Sequence, residues 1–251
     1  TTVSPAYAAE IQTVEGGMGF DGVLRMRGGD LSGILNGIDT RVWAPSTDPT
    51  LAATFDRTTL SARVHNKSAL QARMGLTAQD EFPLFGVVSR LTDQKGMDLL
   101  LSCLPEIRSL NAQWVVLGTG EPWIEKAFRA VASSDPGWGA CLTGYSEELA
   151  HQIQGGADAL LVPSRFEPCG LTQLCALRYG AIPVVSKVGG LADTVIDASP
   201  TALANRTATG IQFAPGSVEM LKAALRRTVA LYRQPSVWRA LQENGMACDV
   251  S

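Results

Sequence analysis

From about residue 83 onward, short apolar runs alternate with longer amphipathic segments. The runs are rich in Val, Leu and Ile and lack alternating polar residues, a pattern typical of strands buried on both faces. They lie at residues 83–89, 114–118, 139–145, 158–164, 182–186 and 210–214. Helix-like segments lie at 96–110, 124–134, 146–156, 170–180, 192–198, 218–233 and 235–247. This alternation predicts a doubly wound parallel sheet, an α/β domain over residues 41–235.

The first 40 residues do not follow this repeat. Residues 6–13 are predicted to form a short helix and residues 19–29 a glycine-rich loop. Asn36-Gly37 is a turn signal. We expect residues 1–40 to be a connection from an upstream part of the protein.

Composition excludes several classes of function. Net charge is -3 without a Lys/Arg cluster, which argues against nucleic acid or an anionic membrane as partner. Five cysteines without CxxC spacing, and only two histidines, argue against structural zinc or a disulfide framework and favour a reducing cytosol. If an anion binds, a few placed charges and backbone amides must hold it.

Candidate chemistry follows the strand ends, because ligands of open α/β sheets bind beyond the carboxyl ends of the strands. After the first strand, Arg90 and Lys95 lie five positions apart at a strand-to-helix turn. Two cations beside free backbone N–H groups suit a phosphate or diphosphate. The alternative is that both are solvated surface charges.

Three other loops are compatible with ligand binding. Residues 118–122, GTGEP, contain GxG without the full dinucleotide fingerprint, so a tight turn is an equal alternative. Tyr145 follows a strand and suits stacking on a base, although such a residue also serves as a packed aromatic. Residues 187–195 hold two glycines before a helix, which allows close backbone approach or marks a plain loop.

The turn at residues 162–173 combines a carboxylate with a helix start. Residues 170–172 are predicted to open a helix, so their amides face the cleft. Glu167 would repel a phosphate, whereas a carboxylate accepts hydrogen bonds from sugar hydroxyls. Amides for phosphate and a carboxylate for a polyol together indicate a nucleotide-sugar.

Five strings carry a resemblance to a known family. They are NGID (36–39), SRLT (89–92), KG (95–96), PSRFEPCGLTQ (163–173) and GGLADTV (189–195). In this order they resemble bacterial glycogen synthases and plant starch synthases, along the whole chain. The resemblance implies the GT-B fold, in which two Rossmann-like domains face a cleft. It also implies transfer of glucose from ADP-glucose to the non-reducing end of an α-1,4-glucan with retention, without a metal or other cofactor.

The resemblance assigns roles at the donor site. Arg90 and Lys95 would hold the diphosphate and stabilise the departing ADP, a catalytic role. Thr172 would add to the phosphate site, and Tyr145 would stack on adenine.

The sugar pocket would be formed by the turn itself. Glu167, the third catalytic candidate, would bind glucose hydroxyls together with the backbone around Cys169, Gly170 and Leu171. Cys169 would be a small lining residue and no nucleophile. Cys175 stands where many related retaining transferases carry a second glutamate, which favours glycogen and starch synthases over sucrose-type relatives.

The resemblance also predicts domain boundaries. Residues 1–40 would be the end of an N-terminal domain and a linker, 41–235 the nucleotide-sugar domain, and 236–251 a helix leading to a crossover segment. The chain would then be the C-terminal, donor-binding half, inactive alone, with the acceptor glucan bound through the N-terminal domain. A cytoplasmic location is expected, or the plastid stroma for a plant protein. The alternatives are a non-catalytic nucleotide-binding module and another GT-B enzyme of the sucrose or trehalose type.

Overall fold

A computed structural model describes residues 1–251 and contains one six-stranded parallel sheet. The strands run β3-β2-β1-β4-β5-β6 across the sheet. Their bounds are β1 Leu84–Val88, β2 Gln113–Gly118, β3 Gly139–Thr143, β4 Ala159–Val162, β5 Ile182–Ser186 and β6 Ile211–Phe213. This is the Rossmann order, in which the winding of the sheet reverses between β1 and β4 while all six strands stay parallel. The predicted doubly wound parallel sheet is confirmed.

Eleven α-helices accompany the sheet. They are α1 Pro5–Glu10, α2 Asp21–Met26, α3 Arg63–Arg73, α4 Met97–Ser109, α5 Pro122–Ser134, α6 Glu147–Gly156, α7 Thr172–Tyr179, α8 Gly189–Thr194, α9 Pro200–Ala204, α10 Val218–Tyr232 and α11 Pro235–Met246. Short 3₁₀ turns lie at Gly28–Asp30, Leu60–Ala62 and Asp93–Lys95. No helix combines the length and the apolar character that crossing a membrane requires.

Alternate residues of β2 pack into two separate cores, one on each face of the sheet. Trp114 and Val116 of β2 pack with α4, α5, α10 and α11 on one face of the sheet. Val115 and Leu117 of the same strand pack with α3 and α6 on the other. Burial on both faces explains why the strands read as uninterrupted apolar runs.

Two predictions for the N-terminal part are wrong. Residues 19–29 form no continuous loop, because α2 occupies Asp21–Met26 and an Asp21–Arg25 ion pair of 2.6 Å spans one turn. The glycines on both sides of this helix had indicated a loop.

Asn36-Gly37 makes no turn, and the chain there passes close to the C-terminal residues. The Ile38 N–H donates to the Val250 carbonyl at 2.8 Å. A Cβ on Gly37 would lie 2.1 Å from the Ser251 carbonyl carbon, so glycine serves close approach at this position.

A buried guanidinium joins the C-terminal ends of two helices, at the edge of the sheet opposite the carboxyl ends of the strands. Arg63 of α3 donates to the carbonyls of Gln154, at 3.3 Å, and of Ala157 and Tyr179. These carbonyls lie at the C-terminal ends of α6 and α7, where helices leave acceptors unpaired. Burial lowers the pKa of Arg63 to about 10, against the opposing effect of Asp158, so the group stays charged at neutral pH.

Replacing Arg63 with Met should lower the free energy of unfolding by about 3 kcal/mol, because three buried carbonyls lose their donor. Urea denaturation of the chain measures this. Arg57→Met, at an exposed arginine, is the matched control and should stay within about 0.5 kcal/mol of wild type. An equal, small effect of both substitutions would contradict the capping role.

Candidate functional site

A cleft of about 420 Å³ opens at the carboxyl ends of β1 and β4, where the winding of the sheet reverses. Parallel sheets of this type bind ligands at this position. Seven of the eight site residues predicted from the sequence line it, namely Arg90, Lys95, Glu167, Cys169, Gly170, Leu171 and Thr172. The eighth, Tyr145, lines an adjoining depression of about 210 Å³, to which Arg90 also contributes. The structure therefore brings all eight to one edge of the sheet.

The centre of the cleft is an ion pair between the loops that follow β1 and β4. Lys95 Nζ lies 2.5 Å from Glu167 Oε2, and the two side chains are only 16% and 8% exposed. Ser164 Oγ donates to the same carboxylate oxygen at 3.1 Å. Oε1 of Glu167 has no partner within the protein and is available to a ligand hydroxyl.

Local backbone geometry brings Lys95 to this position. It ends a 3₁₀ turn, and Gly96 follows with φ of +69° before α4 begins. A Cβ at Gly96 would lie 2.0 Å from the Pro163 carbonyl oxygen. Only glycine permits this approach, so the turn that carries Lys95 is pressed against the end of β4.

Arg90 is exposed at the rim of the cleft. Its Nη2 donates to Gln94 Oε1 at 3.3 Å, a contact that a ligand phosphate can replace. Gln94 Nε2 donates in turn to the Phe166 carbonyl at 3.3 Å, and the Arg165 N–H donates to the Gln94 carbonyl at 2.9 Å. Sequence reasoning missed Gln94 and Ser164 as supports, although each lies inside a loop that it had singled out.

The start of α7 presents unpaired backbone donors. The N–H groups of Gly170, Leu171 and Thr172 donate to no protein atom, and Gly170 has φ of +73°. Thr172 Oγ1 donates to the Val88 carbonyl at 3.3 Å and so fixes the helix start against the end of β1. The helix was predicted to open at residues 170–172, and it begins at Thr172. Such a terminus attracts an anion.

Cys169 and Tyr145 lie in opposite environments. Cys169 is buried, and burial raises the pKa of its thiol while the backbone of Asn36 acts against this shift. The thiol therefore stays neutral, which disfavours nucleophilic chemistry. Tyr145 is 87% exposed, so it is no packed aromatic and its ring faces are open.

The two glycine-containing loops serve close backbone contacts. A Cβ at Gly118 would lie 1.9 Å from the Ser89 carbonyl oxygen, and one at Gly120 would lie 2.2 Å from that of Leu91. Gly189 and Gly190 leave similar room for the carbonyls of Glu167 and Cys169. The Gly190 N–H is used internally by the Glu167 and Pro168 carbonyls, at 3.2 Å each. The amides of Gly189 and Gly190 are therefore both used within the protein, unlike those at the start of α7.

Carboxylates, thiols and imidazoles do not form a cation site. No group of three or more His, Cys, Asp or Glu side chains is placed to hold a metal ion. The polar chemistry of the cleft is that of two cations, one carboxylate and a set of amides.

Comparison with known proteins identifies relatives over the whole chain. It is 59% identical over 251 residues to glycogen synthase of Rhodopseudomonas palustris, and 59% identical to glycogen synthase of Acidiphilium cryptum. All of this chain is covered, against 51% and 52% of those proteins, so the chain spans about half the length of the curated relatives it matches.

Solved structures also resemble this chain along most or all of its length. The catalytic domain of starch synthase IV from Arabidopsis thaliana, bound to ADP and acarbose, superposes with a TM-score of 0.94 at 38% identity and covers all of this chain and 52% of that one. The C-terminal domain of a glycosyl transferase group 1 family protein from Francisella tularensis shares the fold, with a TM-score of 0.60 at 15% identity over 84% of this chain and 95% of that one. The family model described as glycosyl transferases group 1 matches residues 71–243. The chain belongs to the glycosyl transferases group 1 family.

Proposed function

We propose that the cleft binds ADP-glucose and that the chain is the C-terminal, donor-binding half of a glycogen synthase. The proposed reaction transfers glucose, with retention, to the non-reducing end of an α-1,4-glucan. The observation that carries the proposal is the Lys95–Glu167 pair set beside the free amides of α7. The ADP in the starch synthase IV structure and the glycogen synthase relatives support the choice of nucleotide and sugar.

The arrangement divides the donor between two kinds of group. Arg90 and Lys95 supply positive charge for a diphosphate, and the Thr172 amide at the start of α7 adds a donor without further charge. Oε1 of Glu167 accepts a hydrogen bond from a glucose hydroxyl. Lys95 has three N–H donors, so it can keep Glu167 and still reach a phosphate oxygen.

Catalysis would depend on charge that develops on the leaving group. As the bond between the glucose anomeric carbon and the phosphate oxygen breaks, negative charge grows on ADP. Fixed cations at that position stabilise the transition state more than the ground state. We propose that this half needs no metal or other cofactor and does not transfer glucose alone. The acceptor must be held against the donor, and such positioning is worth about 7–11 kcal/mol in good cases.

Calorimetric titration with ADP, ADP-glucose and UDP-glucose tests the donor site. We expect Lys95→Met to weaken ADP binding by about 10- to 100-fold, because a charge-assisted contact with phosphate is lost. Glu167→Gln should leave ADP affinity within about threefold and weaken ADP-glucose more strongly. The double variant, Lys95→Met with Glu167→Gln, separates the loss of the phosphate contact from the cost of leaving one buried charge unpaired.

Lys126→Met, at an exposed lysine of α5, is the control and should bind like wild type. Unchanged ADP affinity in Lys95→Met would remove the diphosphate assignment. Tighter binding of UDP-glucose than of ADP-glucose would favour another enzyme of the same fold.

Tyr145→Ala should weaken ADP binding about tenfold, because base–aromatic stacking of about 1–3 kcal/mol is lost. Tyr145→Phe keeps the ring and should retain the affinity. Since the side chain is 87% exposed, neither change should shift the melting temperature, which scanning calorimetry checks. Equal affinities of all three proteins would mean that adenine lies elsewhere.

A further inference from the structure

A fully buried amide side chain lies directly behind the predicted sugar pocket. Gln173 of α7 is 0% exposed. Its Nε2 lies 3.0 Å from the Cys169 carbonyl, 3.0 Å from the Gly170 carbonyl and 3.2 Å from Thr194 Oγ1. Its Oε1 is buried without any partner. The NH₂ group therefore has three acceptors around it, whereas the oxygen of the same amide has no donor. Buried side-chain amides usually pair both groups, so this arrangement calls for an explanation.

The surrounding acceptors determine which way the amide points. Reversing it would set Oε1 against the carbonyl oxygens of Cys169 and Gly170, where two acceptors would repel it. The third partner of the NH₂ group, Thr194 Oγ1, also requires a donor from Gln173, because its own hydrogen is donated to the Gly190 carbonyl at 2.6 Å. The side chain therefore connects the turn before α7 to α8.

Holding a carbonyl also aims the amide of the same peptide unit. A peptide unit is planar and trans, so its C=O and N–H point in opposite directions. Gln173 holds the carbonyls of Cys169 and Gly170, which fixes the directions of the Gly170 and Leu171 N–H groups. Neither N–H donates to a protein atom. Gly170 has φ of +73°, and a glycine backbone is conformationally free, so the hydrogen bonds from Gln173 restrain the rotation of these two peptide units.

We propose that Gln173 is a positioning residue that aims the Gly170 and Leu171 amides at the glucosyl group of the donor. This rests on the proposed function, since it assigns those amides to the sugar and not to the diphosphate. Gln173 is among the residues that line the cleft, but its side chain is fully buried, so we assign it no direct contact with the ligand. It acts on binding only through the orientation of two peptide units.

Calorimetry on the chain with Gln173→Met tests the proposal, because methionine keeps the approximate shape and removes the donor. We expect ADP-glucose affinity to fall about tenfold and ADP affinity to change by less than about threefold, as two neutral hydrogen bonds to peptide carbonyls are lost. A purely structural role would lower the melting temperature without changing the ratio of the two affinities.

Gln71→Met is the matched control. Gln71 of α3 is also fully buried and also has an unpartnered Oε1, and it lies outside the cleft. It should lose stability and keep the wild-type ratio. If Gln173→Met does not fold, Thr194→Val should shift the ratio in the same direction, by about threefold, since one anchor of the amide is removed.

An unchanged ratio in whichever variant folds would overturn the positioning role and leave the proposed function standing. Failure of the wild-type chain to bind either ligand would overturn both, and that result needs no variant. A changed ratio in Gln71→Met as well would attribute the effect to general loosening and would also overturn the proposal.

Discussion

The site depends on one ion pair that bridges the point where the sheet reverses its winding. Lys95 belongs to the loop after β1 and Glu167 to the loop after β4, and their side chains are nearly buried. Burying two charges costs desolvation that close pairing and further hydrogen bonds must offset. Ser164 supplies one such bond, and Gly96 permits the backbone approach that brings the lysine within reach. The pair therefore joins the two loops that form the cleft.

The same pair resolves an electrostatic conflict. A free carboxylate beside the amides of α7 would repel a diphosphate from the terminus that otherwise attracts it. With Lys95 at 2.5 Å, the charge of Glu167 is compensated while its Oε1 stays open. A polyol acceptor and an anion site can then lie side by side, as a nucleotide-sugar requires.

The sequence predicts the sheet, and it predicts which loops meet at the candidate cleft, because both follow from local patterns. Uninterrupted apolar runs identify the strands, and the ends of β1 and β4 identify the loops that carry Arg90 and Glu167. The Lys95–Glu167 pair was not predictable from spacing, since the residues lie 72 positions apart and were assigned separate roles. The hydrogen bonds from Gln173 to the turn before α7 depend on the direction of its side chain, and the hydrophobic periodicity of the sequence does not predict that direction. Helix α2 was missed because glycines flank it on both sides.

The N-terminal residues are connected to the site because α1 and α8 cap each other. Glu10 of α1 accepts the Gly189 N–H of α8 at 2.7 Å, and Asp193 of α8 accepts the Ala6 N–H of α1 at 2.8 Å. Each carboxylate thus satisfies a free donor at the start of the other helix. The next N–H along the chain, that of Gly190, donates to the backbone carbonyl of Glu167. Glu167 is the residue whose carboxylate is proposed to bind the sugar. Because these contacts are in series, hydrogen bonds link α1 through α8 to the backbone of Glu167.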